Sequence, residues 1–147
     1  MKKIIHGREL PWEMTPLGKV KTLNKPGSDL RLFSVDMFEL EIPAGSRSAR
    51  HWHMADEALF VLGGSGYSLH WDVQADLDDR YYARIAKKPK RYNIRRHETL
   101  FVPPNTVVQH FADDGAPLTL LSSQNRLYKH LGYDNTVILE PSPDYKG

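Results

Sequence analysis

Apolar and polar residues alternate over short runs along most of the chain, and glycine or proline closes nearly every run. This is the pattern of short strands joined by tight turns. Residues 31–42 form the first clear run. Its apolar positions are odd at Phe33, Val35 and Met37 and even at Phe38, Leu40 and Ile42, which predicts a strand with a bulge near Met37–Phe38, ended by Pro43-Ala44-Gly45. Residues 51–62 predict a second strand, closed by Gly63-Gly64-Ser65-Gly66. Tyr67, Leu69, Trp71 and Val73 alternate beyond it, so the two runs read as a hairpin. Residues 99–102, a turn at Pro103-Pro104-Asn105-Thr106, and residues 107–111 and 118–121 add further strands. Helical spacing appears only near the C terminus, where Ser123 is placed to cap a short helix carrying Leu127 and Leu131, with Gly132 past its end. The expectation is an all-β sandwich or barrel with a short C-terminal helix. Residues 1–30 read as an N-terminal arm, 31–121 as the barrel, and 122–147 as C-terminal helix and tail.

The chain of 147 residues has the length of one domain and buries enough surface to fold without covalent staples. It has no cysteine, which excludes disulfides, thiolate metal sites, iron–sulfur clusters and cysteine nucleophiles together. Twenty basic against eighteen acidic side chains give a net charge of +2, too balanced to imply nucleic acid or membrane as a partner. Met1-Lys2-Lys3-Ile4-Ile5-His6-Gly7 has no signal-peptide pattern, and no apolar run approaches the ~20 residues of a membrane span. A cytoplasmic location is expected. Between residues 74 and 96 acidic residues give way to a basic stretch from Arg80 to Arg96, which reads either as a solvated hairpin or as an anion-attracting flap over a site.

Of the seven histidines, His51 and His53 stand two apart on the second run, with Glu57 four further on. Strand side chains alternate, so these three odd positions share a face, with Ala55, Leu59 and Val61 beside them. Two imidazoles and a carboxylate in an apolar wall are costly to bury unless something satisfies them. Hydrogen bonds in the core are one solution, and a divalent metal is the more direct one. His70 has the opposite parity from Tyr67, Leu69 and Trp71 and is expected to face away from whatever those bury. His6, His97 and His130 read as surface residues. Tyr67, Trp71, Phe101 and Phe111 suit either a pocket lining or plain core, and Trp52 alternates outward toward a second sheet or subunit.

Gly45, five residues, His51, one residue, His53, three residues, Glu57, six residues, Gly64 resembles the first signature motif of the cupin family at every defined position, and Ile42-Pro43-Ala44 before it also fits. The resemblance covers roughly residues 31–121. It implies a double-stranded β-helix, or jelly-roll barrel, whose interior holds one divalent transition metal on His51, His53 and Glu57. The second motif is altered: Pro103 fits, but His97 and Asn105 replace its two glycines, Val108 its histidine ligand and Ala112 its asparagine. Valine cannot bind a metal. His110, two residues on and about 6–7 Å further along the same strand face, is the candidate fourth ligand or, alternatively, a catalytic acid/base lining the cavity. Two histidines with one carboxylate leave positions open for substrate and dioxygen on iron(II), whereas three histidines with one glutamate resemble the sites of many cupin dioxygenases, isomerases and lyases. Iron is the leading metal, with Mn, Ni, Zn or Cu also compatible with these donors. The resemblance thus implies a dioxygenase-type oxidoreductase acting on a small organic molecule, an anionic one where the basic stretch serves as the flap. A non-redox isomerase or lyase, or a binding module without turnover, is the alternative. Cupins commonly dimerise, so a homodimer is expected.

Overall fold

The computed structural model describes residues 2–24, 34–77, 81–132 and 136–147. Residues 31–33 of the first predicted run, Arg80 of the basic stretch and the side chain of His130 lie outside the described residues. After a 3-10 turn at Gly7–Glu9, twelve strands follow among the described residues. They are β1 (Glu13–Thr15), β2 (Gly18–Thr22), β3 (Val35–Ile42), β4 (Arg50–Trp52), β5 (Glu57–Gly63), β6 (Ser65–Leu77), β7 (Tyr81–Ile85), β8 (Lys90–Arg95), β9 (Thr99–Val102), β10 (Thr106–Ala112), β11 (Leu118–Asn125) and β12 (Val137–Glu140). One sheet has the order β1-β2-β3-β11-β5-β9; the other runs β12-β4-β10-β6-β7, with β8 also paired to β6. Every pairing is antiparallel. The two inner faces share one core, in which Leu40, Ile42, Leu59, Val61, Leu118 and Leu120 from the first sheet meet Ile94, Val108 and Ala112 from the second. This is the expected jelly-roll architecture.

Four of the sequence expectations need correction. Residues 51–62 are not one strand: β4 belongs to the second sheet and β5 to the first, and residues 53–56 carry the chain between them. Nor do β5 and β6 form a hairpin, because Gly64 (φ +77°) turns the chain from one sheet into the other. A Cβ there would lie 2.1 Å from the Pro117 carbonyl oxygen, so the corner admits only glycine. No bulge interrupts β3, whose register against β11 runs unbroken from Ile42 to Val35. Phe38, Leu40 and Ile42 are its inward positions, and the change of parity arises because Met37 packs half-buried on the outer face. Beyond Thr22 the side chain of Asn24 takes over the edge of β3, donating to the Val35 carbonyl (2.6 Å) and accepting from the Met37 amide (2.8 Å). Finally, Ser123 lies inside β11. The helix is a single turn, α1 (Leu127–His130), and it is Asn125 Oδ1 that accepts the Leu127 amide at 2.8 Å.

Gly132 does stand just past that turn at φ +81°. Among the described non-glycine residues only His97 (φ 71°) and Asn105 (φ 56°) have left-handed backbones, and these occupy the two glycine positions of the altered second motif. Asparagine and histidine tolerate that region best, so the corners keep their shape although the glycines are gone. At the termini, β1 and β2 extend the first sheet through β3, and β12 covers the edge of β4, opposing Val137 to Trp52. Among the described residues no helix is long and apolar enough to cross a membrane.

Candidate metal centre

The change of sheet after β4 builds the site. His51 projects inward from β4, His53 follows at the start of the crossing, and Glu57 opens β5 in the facing sheet, so the three donors approach from both walls of the barrel. All three are buried. Each imidazole is oriented through Nδ1, within 3.0 Å of the Ala49 carbonyl for His51 and 2.7 Å of the Ala55 carbonyl for His53. A carbonyl only accepts, so Nδ1 carries a proton in both rings, and in the neutral form of each ring it is Nε2 that holds the free lone pair. Glu57 is held in the same way: its Oε2 accepts from Ser122 Oγ (2.5 Å) and Gln124 Nε2 (2.7 Å), and its Oε1 faces His53 Nε2 at 3.4 Å. His53 Nε2 and Glu57 Oε1 are buried with no hydrogen-bond partner. One donor atom from each of His51, His53 and Glu57 lies within 4.8 Å of the others. Buried polar atoms left unpaired at one point, with their far sides braced, fit a small cation of the imidazole- and carboxylate-binding kind.

The electrostatics agree with such a centre. Burial lowers the pKa of His51 below its ordinary value, against the pull of the Ala49 carbonyl and Glu57. Burial also opposes charge on His53, but the neighbouring Glu57 carboxylate outweighs it and the net direction is up. Glu57 feels the same burial, overcome by His53, Ser122 and Gln124, and titrates at about 2. Without a metal, His53 and Glu57 thus form a charged pair of which the histidine proton marks the place for a cation.

His110 also faces the interior. Its Nδ1 lies 3.0 Å from Ser68 Oγ, its backbone amide donates to Ser48 Oγ (2.9 Å), and its ring meets that of His51 edge-on at 6.2 Å. It is outside the tight group of three donors. Burial and the nearby His51 push its pKa down to about 3, so it is neutral at physiological pH. His70 lies, as its parity predicts, on the face opposite Tyr67, Leu69 and Trp71, but that face is the inner one. Antiparallel partners share a face, and β6 opposes His70 to Val108 and Ser68 to His110, so His70 points inward with the core. Tyr67, Trp71 and Phe111 are on the outer face, where Tyr67 stacks on Phe111 and the Arg91 and Arg50 guanidinium groups lie over the Tyr67 and Trp71 rings. Phe101 points outward from the first sheet and is 70% exposed. His6 and His97 are on the surface, as expected. The basic stretch is largely solvated, with Lys90 paired to Asp72 and Arg95 to Glu98 on exposed ground.

Two cavities open near the centre. The larger, about 590 Å³, lies at the end of the first sheet between Ser34, Asp56, Phe101, Pro103 and Gln124 and touches the donor group at Glu57. The other, about 430 Å³, opens between β8 and β9 and ends on His70, Tyr92, Leu100 and Thr106.

No family model and no curated protein matches the chain. Solved structures do. A cupin-2 domain from Rhodospirillum rubrum superposes at a TM-score of 0.54 and 12% identity, over 82% of this chain and 64% of that one. The chain has the cupin fold. The polyketide cyclase RemF from Streptomyces resistomycificus is similar at a TM-score of 0.65 and 15% identity, over 98% of this chain and 89% of that one. Salicylate 1,2-dioxygenase from Pseudoaminobacter salicylatoxidans, solved with gentisate, matches at 0.65 and 12% identity over 88% of this chain. The chain spans less than two thirds of the Rhodospirillum protein and 31% of the dioxygenase.

Proposed function

We propose that this cupin is a metal-dependent enzyme for a small organic molecule, with one divalent transition ion on His51, His53 and Glu57. The observation that carries the reading is the convergence of buried donor atoms from His51, His53 and Glu57 within 4.8 Å of one another, with no hydrogen bond made at His53 Nε2 or Glu57 Oε1 and with the opposite ends of His53 and Glu57 fixed by Ala55, Ser122 and Gln124. A bound ion of this kind supplies Lewis-acid polarisation of substrate oxygen atoms or, as iron, redox chemistry with dioxygen. The protein's part is orientation and exclusion of water. Nδ1 contacts fix both imidazoles, Ser122 and Gln124 fix the carboxylate, and the leucine- and valine-lined interior keeps the site dry. The cavity at Glu57 is the route for substrate, with Gln124 and Ser123 offering polar contacts at its floor. His110, neutral and braced at Nδ1 by Ser68, is the catalytic candidate among the remaining histidines; as a neutral imidazole it would hold a substrate or water by a hydrogen bond, and it would act as a base only once a bound group raised its pKa from about 3.

The dioxygenase-type reaction is the leading assignment, supported by the two-histidine, one-carboxylate donor set and by the likeness to a salicylate dioxygenase. A non-redox reaction is the second reading, favoured by the fuller overlap with the polyketide cyclase, whose chain this one covers almost end to end. Oxygen consumption by iron(II)-loaded protein with catechol-like, diketone and keto-acid substrates tests the first. Conversion of such substrates under argon by the zinc- or manganese-loaded protein, without oxygen uptake by the iron form, establishes the second.

A further inference from the structure

We propose that the cavity between β8 and β9 is a second binding site, separate from the metal centre, for a small uncharged aromatic alcohol whose hydroxyl group bonds the His70 imidazole. The pairing register builds it. β6 opposes His70 to Val108 on β10 and to Lys90 on β8, and opposes Asp72 to Thr106, so these side chains occupy one end of the inner face of the second sheet. Tyr92 has the same parity as Lys90 and extends that face. Leu100 and Phe101 of β9 approach from the first sheet. The space between is about 430 Å³, within the range of small-molecule sites. None of His51, His53 and Glu57 lines it, so the inference stands apart from the metal reading.

The floor of this cavity is polar and incompletely satisfied. His70 is 6% exposed, and its Nε2 is buried with no hydrogen-bond partner. A buried imidazole nitrogen left so is costly unless a ligand completes it. A half-turn about χ2 keeps the outline of the ring while exchanging nitrogen and carbon positions, so a nitrogen can meet a group that enters the cavity. Burial lowers the pKa of His70 below its ordinary value, so the ring is neutral at physiological pH, with one nitrogen donating and the other accepting. A hydroxyl group does both and therefore serves either nitrogen, and the buried Thr106 adds a second hydroxyl at the floor. The walls call for a flat apolar body. Tyr92 packs on the His70 ring at 4.8 Å between centroids, Phe101 stands exposed at the mouth, and Leu100 and Pro103 fill the side between them. At the rim Asp72 and Lys90 pair with each other at 3.6 Å, which leaves no unbalanced charge to draw in an ion.

The test is an NMR titration of chelator-treated, full-length protein with phenol, toluene and benzoate, for wild type and His70→Phe. In the wild type, phenol should bind saturably and move the imidazole nitrogen signals of His70 and the side-chain signals of Tyr92 and Leu100, leaving those of Ser123 and Gln124 in place. The hydroxyl–imidazole bond should make phenol bind about 3–10-fold more tightly than toluene. That preference should vanish in His70→Phe, whose ring cannot hydrogen-bond. Benzoate, which would bury an unpaired charge, should bind more than about 10-fold more weakly than phenol. The wild-type spectra need no substitution, so they decide the matter even where His70→Phe does not fold. Absence of saturable phenol binding, shifts confined to the cavity at Glu57, or benzoate binding as tight as that of phenol overturns the proposal. So does a preference for phenol over toluene that survives His70→Phe. With no metal present, none of these results bears on the ion at His51, His53 and Glu57.

Discussion

Replacing Glu57 by glutamine separates what the carboxylate does for folding from what it does for metal. In the metal-free protein Glu57 titrates at about 2 against an ordinary 4.5. That difference is worth about 3 kcal/mol in favour of the folded state wherever the group is ionised in both states. The sign follows from the depressed value: the contribution is present above pH 4.5 and drains away as pH falls toward 2. His53 is raised, so its share is complete below about 6.5 and is lost as pH climbs past its folded value. At pH 6 both members of the pair are charged, and there Glu57→Gln should cost about 3 kcal/mol. The amide still fits, because its oxygen can accept from Ser122 and Gln124 and its NH₂ can donate to a neutral His53 Nε2. Glu57→Ala leaves those two donors without an acceptor and should cost a further 2–4 kcal/mol or so. Urea unfolding of chelator-treated protein at pH 6 and pH 3 measures the difference, which should shrink sharply at the lower pH. Equal stability of wild type and Glu57→Gln at pH 6, or a gap that persists unchanged at pH 3, would refute the charged-pair account.

Other perturbations probe the surroundings. His110, neutral when folded until about pH 3, is protonated near 6.5 when unfolded, so it destabilises the fold progressively as pH drops between those values, by up to about 5 kcal/mol. His110→Gln should accordingly flatten the acid limb of the pH–stability curve of the metal-free protein, seen by circular dichroism. Gly66→Ala places a Cβ 1.9 Å from the Phe111 carbonyl oxygen across the β6–β10 ladder, whereas Gly115→Ala meets nothing within 4 Å. The first should lower the melting temperature by many degrees or prevent folding, and the second should leave it within a degree or two, by roughly the limits of surface substitutions. Asn24→Ala removes both side-chain bonds that cap the edge of β3 and should cost about 1–3 kcal/mol in urea unfolding with no change in metal content.

The strands and their turns were legible because alternation and Gly/Pro punctuation are local signals, and the donors His51, His53 and Glu57 because their spacing is specific. Sheet membership was not legible. Alternation continues through a corner, so nothing in residues 51–62 announces that β4 and β5 belong to opposite walls. The parity rule nonetheless put the three donors together, because the crossing at residues 53–56 turns the chain through the barrel without reversing the inward side. His70 shows the converse failure. Parity states that His70 opposes Tyr67 and Trp71, but not which face is inner, and aromatic residues on the outer face bias the choice wrongly. The signal that recovers it is pairing: once β6 lies beside β10, the inward His110 fixes Ser68 and His70 as inward too. The apparent bulge at Met37–Phe38 arose from an outer face that is itself half-covered, a matter of tertiary packing.

Anomalous diffraction at the cobalt edge, from crystals of the reloaded protein, tests the central claim most directly. The account requires one strong peak per chain inside the barrel, about 2.0–2.2 Å from His51 Nε2, His53 Nε2 and Glu57 Oε1. A fully loaded crystal with no peak there, or with cobalt only on surface carboxylates and histidines, would contradict it.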